Sequence, residues 1–265
     1  MLCTFLFLFT VMATHVNNVR INADSASIIG GVSTAFVSVA LIYSFADVSG
    51  AHFNPAVTFA TMVTKKTSLT KGALYIVAQL IAAVFASIFL FAIFPDSSFV
   101  VKNIVVNKYD DTNLAKAFFT EVILTFILVY VIFAVAFDTV DSSNKVQVAL
   151  PENLQGKLPP PNGEVPARQP KLAKNLTIYT TNGNSKAGFA PIAIGFTLGF
   201  LCFIGGSTSG GAFNPARVFG PSLISGDWSD HWLYWLGDFM GAGLAGLVQK
   251  FFAHRPSQQS HENIQ

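Results

Sequence analysis

Five stretches of the chain are apolar and almost free of charged residues over lengths that suit a membrane-spanning helix. The hydrocarbon core of a bilayer is about 30 Å thick, and a helix needs about 20 residues to cross it. The pattern therefore predicts five transmembrane helices. They cover residues 25–46, 72–94, 117–137, 188–206 and 232–253.

Residues 1–16 are also apolar. At about 1.5 Å per residue they reach only about 24 Å, a little short of a crossing. A secretory signal peptide has a similar length, but this segment lacks a basic amino end and a small-x-small cleavage site before Arg20. We therefore predict a sixth spanning helix, the first in the chain, that is truncated.

The overall composition agrees with a membrane protein. Hydrophobic residues make up 52% of the chain, charged residues 11%, and the mean hydropathy is +0.51. Soluble domains do not have this balance, so the fold class is an all-α polytopic membrane protein. Cys3 and Cys202 both lie in apolar segments, where a structural disulfide is not expected.

The basic residues between the spans indicate the orientation. Cytoplasmic loops of membrane proteins carry an excess of Lys and Arg. If both termini are cytoplasmic, most of the Lys and Arg residues between the spans lie on the cytoplasmic side. We therefore predict that both termini are in the cytoplasm. The predicted location is the plasma membrane or an intracellular vesicle membrane. Because the basic residues are dispersed and the net charge is only +2, no nucleic-acid partner is expected.

One phrase occurs twice in the chain. Residues 49–56 read SGAHFNPA, and residues 209–216 read SGGAFNPA, 160 positions later. A rare phrase used twice predicts two halves of one design, in an inverted arrangement. We assign residues 1–111 to the first repeat and residues 112–265 to the second.

Each phrase opens a short apolar segment, residues 55–64 and 215–224. Ten residues form about 15 Å of helix, which is half a span. Pro55 and Pro215 suit a first helical turn, and the Asn before each can cap it. Irregular backbone at membrane depth is tolerated only inside protein or along a wet cavity. We therefore predict two half-helices that meet near the midplane beside a pore, rather than two surface loops.

These phrases resemble the two signatures of the aquaporins, or major intrinsic proteins. The similarity covers nearly the whole chain and includes Thr120-Glu121, the GFTLG of residues 195–199 and the WLYWLG of residues 232–237. It implies a right-handed bundle of six spanning helices and two half-helices. It also implies a homotetramer with one pore in each subunit.

The paired NPA triplets predict how such a pore would exclude protons. They are Asn54, Pro55 and Ala56, and Asn214, Pro215 and Ala216. Both Asn amides can donate to one water oxygen, at a point that faces the positive ends of two helix dipoles. The hydrogens of that water then point outward, so the hydrogen-bonded file is interrupted and cations are repelled.

Charged residues within spans receive specific roles. Arg217 is the single charge in either half-helix, and a charge at membrane depth marks the pathway. The resemblance implies that Arg217 lines the narrowest constriction. Glu121 is expected to accept hydrogen bonds from half-helix backbone, without a first-repeat counterpart in this chain. His52 is expected to be a packed or capping residue.

The rest of the constriction departs from the water-selective pattern. Counting 12 and three residues back from the second NPA Asn gives Cys202 and Gly211, and Cys202 stands where those members have His. Counting 20 back from the first gives Thr34, whereas a two-residue gap gives Phe36. With Thr34 the opening would pass solutes larger than water, and with Phe36 it would be partly filled.

Other positions favour water over glycerol. Val218, Ser222 and Tyr234-Trp235 lack the residue types that glycerol channels have there, whereas Asp238 replaces a usual Pro without an evident reason. The predicted function is a passive water channel that excludes protons and ions. The alternatives are a facilitator of glycerol, ammonia or hydrogen peroxide, and a closed-pore junctional or sensory protein. No cofactor, catalytic cluster or nucleotide-binding loop is recognised, which disfavours an enzyme and a pump.

A long polar loop covers residues 138–187 and exceeds the family norm. It is rich in Pro, Asn, Lys and Gly, too polar to span and too poor in apolar residues to fold alone. Long loops without a role are uncommon, so we interpret it as a cytoplasmic plug or gate, against a passive linker. The candidate plugging residues are Val146, Val148, Leu150 and Leu154, and the candidate phosphorylation sites are Ser142, Ser143 and Ser185.

Overall fold

The computed structural model describes residues 1–94, 114–137 and 185–253, with the backbone alone for 185–187 and 253. This part contains eight helices and no strand, which confirms the all-α prediction. The eight are α1 (Leu2–Arg20), α2 (Ala26–Ser49), α3 (Pro55–Val63), α4 (Leu69–Ile93), α5 (Leu114–Ile132, followed by a π-helical turn at Phe133–Phe137), α6 (Ser185–Gly205), α7 (Pro215–Ser225) and α8 (His231–Ala253).

Five of these helices are long and apolar enough to cross a membrane, namely α1, α2, α4, α5 with its π turn, and α6 from Gly188. α8, predicted as a span over residues 232–253, has 23 residues but is not one of these five, and it is more polar because it carries Asp238, Gln249 and Lys250. α3 and α7 have 9 and 11 residues, so each reaches only about half a span.

The first helix is longer than predicted. α1 continues through Asn17 and Asn18 to Arg20 and has 19 residues, or about 28 Å. These polar residues led the sequence analysis to end the apolar run at Val16. In the structure, Asn18 is buried and its amide donates to the Ala26 carbonyl at 3.0 Å, which joins α1 to the start of α2.

A seam of small residues joins α2 to α6. A Cβ atom added to Gly199 would come within 2.6 Å of the Ala35 Cβ and 2.7 Å of the Gly31 carbonyl oxygen. One added to Gly195 would come within 2.9 Å of the Ala35 carbonyl oxygen. The two backbones are thus in direct contact, which is how small residues pack helices in a bilayer.

Each half-helix packs on the last long helix of the other predicted repeat: α3 on α8, and α7 on α4. Phe59 of α3 stacks on Phe239 of α8 with ring centroids 4.7 Å apart. On the other side, a Cβ added to Gly220 of α7 would lie 2.3 Å from the Ala83 carbonyl oxygen of α4. This exchange of partners brings the amino ends of α3 and α7 together.

The boundary at residues 111 and 112 lies outside the described residues, as does most of the 138–187 loop. Six of the seven candidate gate residues fall there too. Ser185 begins α6, but its side chain is not described.

Candidate functional site

The two NPA triplets begin the two half-helices, as their sequence predicts. Asn54 and Asn214 have extended backbone and cap α3 and α7. Their side-chain oxygens accept hydrogen bonds from Ala56 N at 2.8 Å and Ala216 N at 3.1 Å. Pro55 and Pro215 occupy the first turn, where their missing N–H groups leave nothing unsatisfied.

The two helix tips are joined by reciprocal hydrogen bonds. Asn54 Nδ2 donates to the Phe213 carbonyl at 2.6 Å, and Asn214 Nδ2 donates to the Phe53 carbonyl at 3.0 Å. Each Asn side chain is therefore fixed at both its oxygen and its nitrogen. A side-chain amide has two N–H donors, so one hydrogen of each amide is still available for a water molecule.

A cavity lies on each side of this junction. One, of about 310 Å³, is lined by His52, Phe53 and Asn54 among other residues. The other, of about 90 Å³, is lined by Phe213 and Arg217, and Leu198 lines both cavities. Both volumes are several times the roughly 15 Å³ that one water needs by this measure. Each cavity has room for water, and the cavity lined by Arg217 is the smaller of the two.

Thr34, Cys202, Gly211 and Arg217 all line the smaller cavity. Arg217 Nη1 donates to the Gly210 carbonyl at 3.2 Å, which holds the guanidinium in the wall. Phe36, the alternative to Thr34, is 63% exposed on the outside of the bundle. The alternative with a two-residue alignment gap, which places Phe36 at the constriction, therefore does not fit the position of this side chain.

His15 of α1 lines the same cavity, although it was not among the residues predicted for the site. The pattern does contain a signal for it. Phe7, Val11 and His15 recur every four residues, which places them on one face of a helix, and all three line the cavity. A polar residue at the end of an otherwise apolar stripe is a candidate pore residue for this reason.

Glu121 is completely buried and supports the loop that leads into α7. It accepts hydrogen bonds from the Ser209 hydroxyl, from Ala212 N at 3.0 Å and from Phe213 N at 2.8 Å. Phe213 in turn offers its carbonyl to Asn54. Glu121 thus holds in place the residue whose carbonyl accepts the hydrogen bond from the Asn54 amide.

Asp238 of α8 is completely buried beside Glu121. Its Oδ1 accepts a hydrogen bond from Thr125 of α5 at 3.1 Å, while its Oδ2 has no partner among the described residues. The residue lies in the middle of the bundle, so it acts as a polar tie between α5 and α8. This contact gives Asp238 a structural reason that was not evident in the sequence.

In the first half, Gln79 of α4 supports the corresponding loop. Its Nε2 donates to the His52 carbonyl at 2.7 Å and to the Thr58 hydroxyl at 3.0 Å. The His52 ring lies 3.4 Å from the same hydroxyl and packs edge-on against Tyr75 and Phe137. His52 is therefore packed in place, and Gln79 is a support that sequence reasoning missed.

A pair of tyrosines repeats the same contact in the two halves. Tyr75 of α4 donates to the Ser49 carbonyl at 3.1 Å, and Tyr234 of α8 donates to the Ser209 carbonyl at 2.8 Å. Ser49 and Ser209 occupy equivalent positions in the repeated phrase. The two NPA loops are thus held by equivalent bonds from equivalent helices.

Nothing in the described ranges suggests a metal centre, since no group of three or more His, Cys, Asp or Glu side chains there is close enough to hold an ion.

The chain is similar in sequence to a known protein family. The chain matches the profile of the Major intrinsic protein family over residues 1–151 and 174–249. It is 57% identical to Aquaporin-B of Dictyostelium discoideum over 96% of this chain and 81% of that protein. It is 33% identical to an aquaporin of Enterocytozoon bieneusi over 95% of this chain and 92% of that protein.

A solved structure supports the fold. The X-ray structure of the aquaglyceroporin from Plasmodium falciparum superposes with a TM-score of 0.65 at 20% identity, covering 95% of this chain and 92% of that one. Members of the matched family are channels and not enzymes. The chain belongs to the major intrinsic protein family and is a multi-pass membrane channel of the aquaporin type.

Proposed function

We propose that this channel conducts water passively and excludes protons and ions. The observation that carries the proposal is the pair of reciprocal hydrogen bonds between Asn54 and Phe213 and between Asn214 and Phe53. They hold the two amides at the junction of the half-helices, where Asn54 lines the larger cavity and Phe213 lines the smaller one. Each amide has one further hydrogen to donate, and together they can bind a single water oxygen.

The electrostatics at this point supports proton exclusion. The amino ends of α3 and α7 meet here, and each carries the positive end of a helix dipole. A water molecule held by two donors uses its oxygen as the acceptor and points its hydrogens away along the file. A chain of waters oriented in opposite directions from the centre cannot relay a proton through it.

Arg217 adds a second barrier to cations on one side of the junction. It is permanently charged, lies in the wall of the smaller cavity and is held there by the Gly210 carbonyl. Its fixed positive charge repels cations that enter this cavity, and its N–H groups can donate hydrogen bonds to neutral solutes.

Osmotic flux through purified protein tests the proposal. Proteoliposomes are mixed rapidly with hyperosmotic sucrose, and water flux is followed by light scattering while an internal pH dye reports proton flux. We expect water flux well above that of empty liposomes and no added proton flux. Proton conduction equal to that of a known protonophore, or shrinkage no faster than in empty liposomes, would count against a proton-excluding water pore.

The second candidate function is a facilitator of small neutral solutes such as glycerol, ammonia or hydrogen peroxide. It is favoured by the small side chains of Thr34, Cys202 and Gly211 at the narrow cavity. Replacing sucrose with glycerol as the osmotic solute separates the two functions. A water-selective pore stays shrunken, whereas a facilitator lets the vesicles shrink and swell again.

We further propose that the 138–187 loop regulates the pore. Phe137, the last described residue before this loop, and Ala190 and Pro191, shortly after it, line the 310 Å³ cavity. The residues that flank the loop on both sides therefore lie at the same cavity, which is the larger of the two. Deleting residues 145–180 and measuring water flux tests the idea. A rise in flux is expected of a gate, and an unchanged flux is expected of a passive linker.

The assembly and orientation in the membrane also belong to this proposal. We propose a homotetramer with both termini in the cytoplasm. Large apolar side chains are exposed along the outer faces of α2, α4 and α8, for example Phe36, Phe85 and Leu244, and they suit contact with lipid or with other subunits. Native mass spectrometry would report the subunit number. A glycan on Asn175, the acceptor of a glycosylation triplet, would overturn the orientation.

A further inference from the structure

We propose that His15 of α1 is a selectivity residue, which narrows the cavity beside Arg217 and keeps solutes of glycerol size out of it. The inference rests on the proposed function, because it assigns a filter to the same pore. It adds a wall residue on a helix that neither NPA phrase belongs to.

The position of His15 is the first support. Its side chain lines the 90 Å³ cavity together with Thr34, Cys202 and Arg217. α1 continues past His15 to Arg20 and is joined to α2 through Asn18, so the ring is carried by a fixed helix and not by a free end.

The distribution of bulk around this cavity is the second support. α2 supplies Thr34 and two glycines, Gly30 and Gly31, while α6 supplies Cys202. These side chains are small, yet the cavity has less than a third of the volume of the one on the other side of the junction, 90 against 310 Å³. The large side chains in its wall, apart from Arg217, are Phe7, Val11 and His15 of α1, Leu198 of α6, and Phe213. α1 thus provides three of the bulky side chains of this wall, whereas α2 provides none and α6 provides one.

The chemistry of the ring is the third support. Arg217 can donate but never accept hydrogen bonds, whereas a neutral imidazole does both. The structure records no hydrogen bond to the His15 ring from the described residues, while the neighbouring Thr14 is bonded to Thr10 and Ser33. His15 and Arg217 together therefore offer a passing water an acceptor and several donors.

The first experiment compares solute permeability of variants. His15→Ala removes the ring, His15→Phe keeps its bulk without its nitrogens, and Asn17→Ala is a matched control on the exposed side of the same helix. We expect His15→Ala to raise the ratio of glycerol to water permeability by at least about tenfold, the lower end of what one group contributes to size discrimination. His15→Phe and Asn17→Ala should keep the ratio of the parent protein.

The second experiment does not require the pore to conduct. Cys3 is replaced by Ala in every variant, so Cys202 is the single thiol, and its modification is followed by intact mass in detergent. Two thiol reagents are used that share their chemistry and differ in size. Because His15 narrows the space around Cys202, His15→Ala should speed modification by the large reagent more than by the small one, and Asn17→Ala should not.

The outcomes separate this inference from the proposed function. If the parent protein shows no water flux, but His15→Ala still speeds modification of Cys202 by the large reagent more than by the small one, the conducting pore is contradicted and the filter is supported. Normal water flux with a glycerol ratio and a Cys202 reactivity that do not change in His15→Ala would overturn the filter. Free passage of glycerol through the parent protein would also overturn it.

Discussion

The side-chain amide of Asn54 donates a 2.6 Å hydrogen bond to the carbonyl oxygen of Phe213, the residue that precedes the second NPA triplet. The reverse bond runs from Asn214 to Phe53 at 3.0 Å. Each asparagine thus caps its own half-helix and fastens the other one. The centre of the pore therefore depends on both halves of the chain at once.

Replacing Asn54 by Ala removes both the cap on α3 and the bond to Phe213. The loss of a cap costs about 1 kcal/mol, and the Phe213 carbonyl is left buried without its donor, which costs about 1–3 kcal/mol. We expect lower water flux in proteoliposomes and a lower thermal midpoint in detergent. Asn17→Ala, at an exposed position of α1, is the control and should change neither.

Replacing Arg217 by Val removes the fixed charge from the smaller cavity and leaves its bulk partly in place. A unit charge about 4 Å away costs a cation about 4 kcal/mol at a typical effective dielectric constant for a protein surface. We therefore expect cation and proton leak to rise by at least roughly tenfold, measured with ion- and pH-sensitive dyes. Arg20→Gln, at the exposed end of α1, is the control and should leave the leak at the parent level. If the leak of cations and protons rose equally in this variant, Arg217 would not be the specific barrier.

Glu121 can be tested by stability. Replacing it with Leu leaves Ala212 N and Phe213 N buried without an acceptor, so we expect a loss of about 3–5 kcal/mol or failure to fold. Gln keeps one acceptor oxygen and should lose less. Thermal unfolding in detergent ranks the variants. A Leu variant as stable as the Gln variant would show that these hydrogen bonds contribute little.

The two residues that the sequence left open at the constriction give a matched pair of variants. Thr34→Phe adds a ring to the 90 Å³ cavity, whereas Phe36→Thr removes one from the outer surface. We expect Thr34→Phe to reduce glycerol flux, and water flux to a smaller extent, because the added ring fills the path. Phe36→Thr should leave both fluxes at the parent level. Stopped-flow measurements with both solutes would reveal the opposite order if the alignment were wrong.

The seam between α2 and α6 predicts a steric effect. Gly199→Ala would place a methyl group 2.6 Å from the Ala35 Cβ, and overpacking of this kind costs about 1–3 kcal/mol. Gly188→Ala is the control on the same helix, since nothing lies within 4 Å of the added atom. We expect the thermal midpoint to fall in the first variant and to stay or rise in the second, because Ala favours helix.

The spans and half-helices could be predicted from the sequence because their signals are local. Apolar runs of sufficient length become helices in a bilayer, and Asn followed by Pro suits the cap and first turn of a helix. The repeated phrase also predicted that the two starts would meet. The end of α1 was placed too early because Asn17 and Asn18 look like loop residues, and the partner of Asn18 is the Ala26 carbonyl of the next helix.

The supports of the pore were less accessible because they depend on contacts between distant segments. Gln79 is an ordinary polar residue in an apolar helix until the His52 carbonyl is seen beside it. Asp238 has a role only with Thr125 in contact, 113 positions away. His15 had a periodic signal but no motif, and the bulk that it adds matters only because Thr34 and Cys202 are small.

The close contact of α2 and α6 limits how this protein can move. The Gly199 and Gly31 backbones leave no room for a methyl group, so a rocking motion between these two helices would have to break this close contact. A carrier that alternates access needs such rocking between its repeats. Transport here should therefore rise in proportion to the gradient without saturating, and a solute on one side should not drive counterflow of solute from the other.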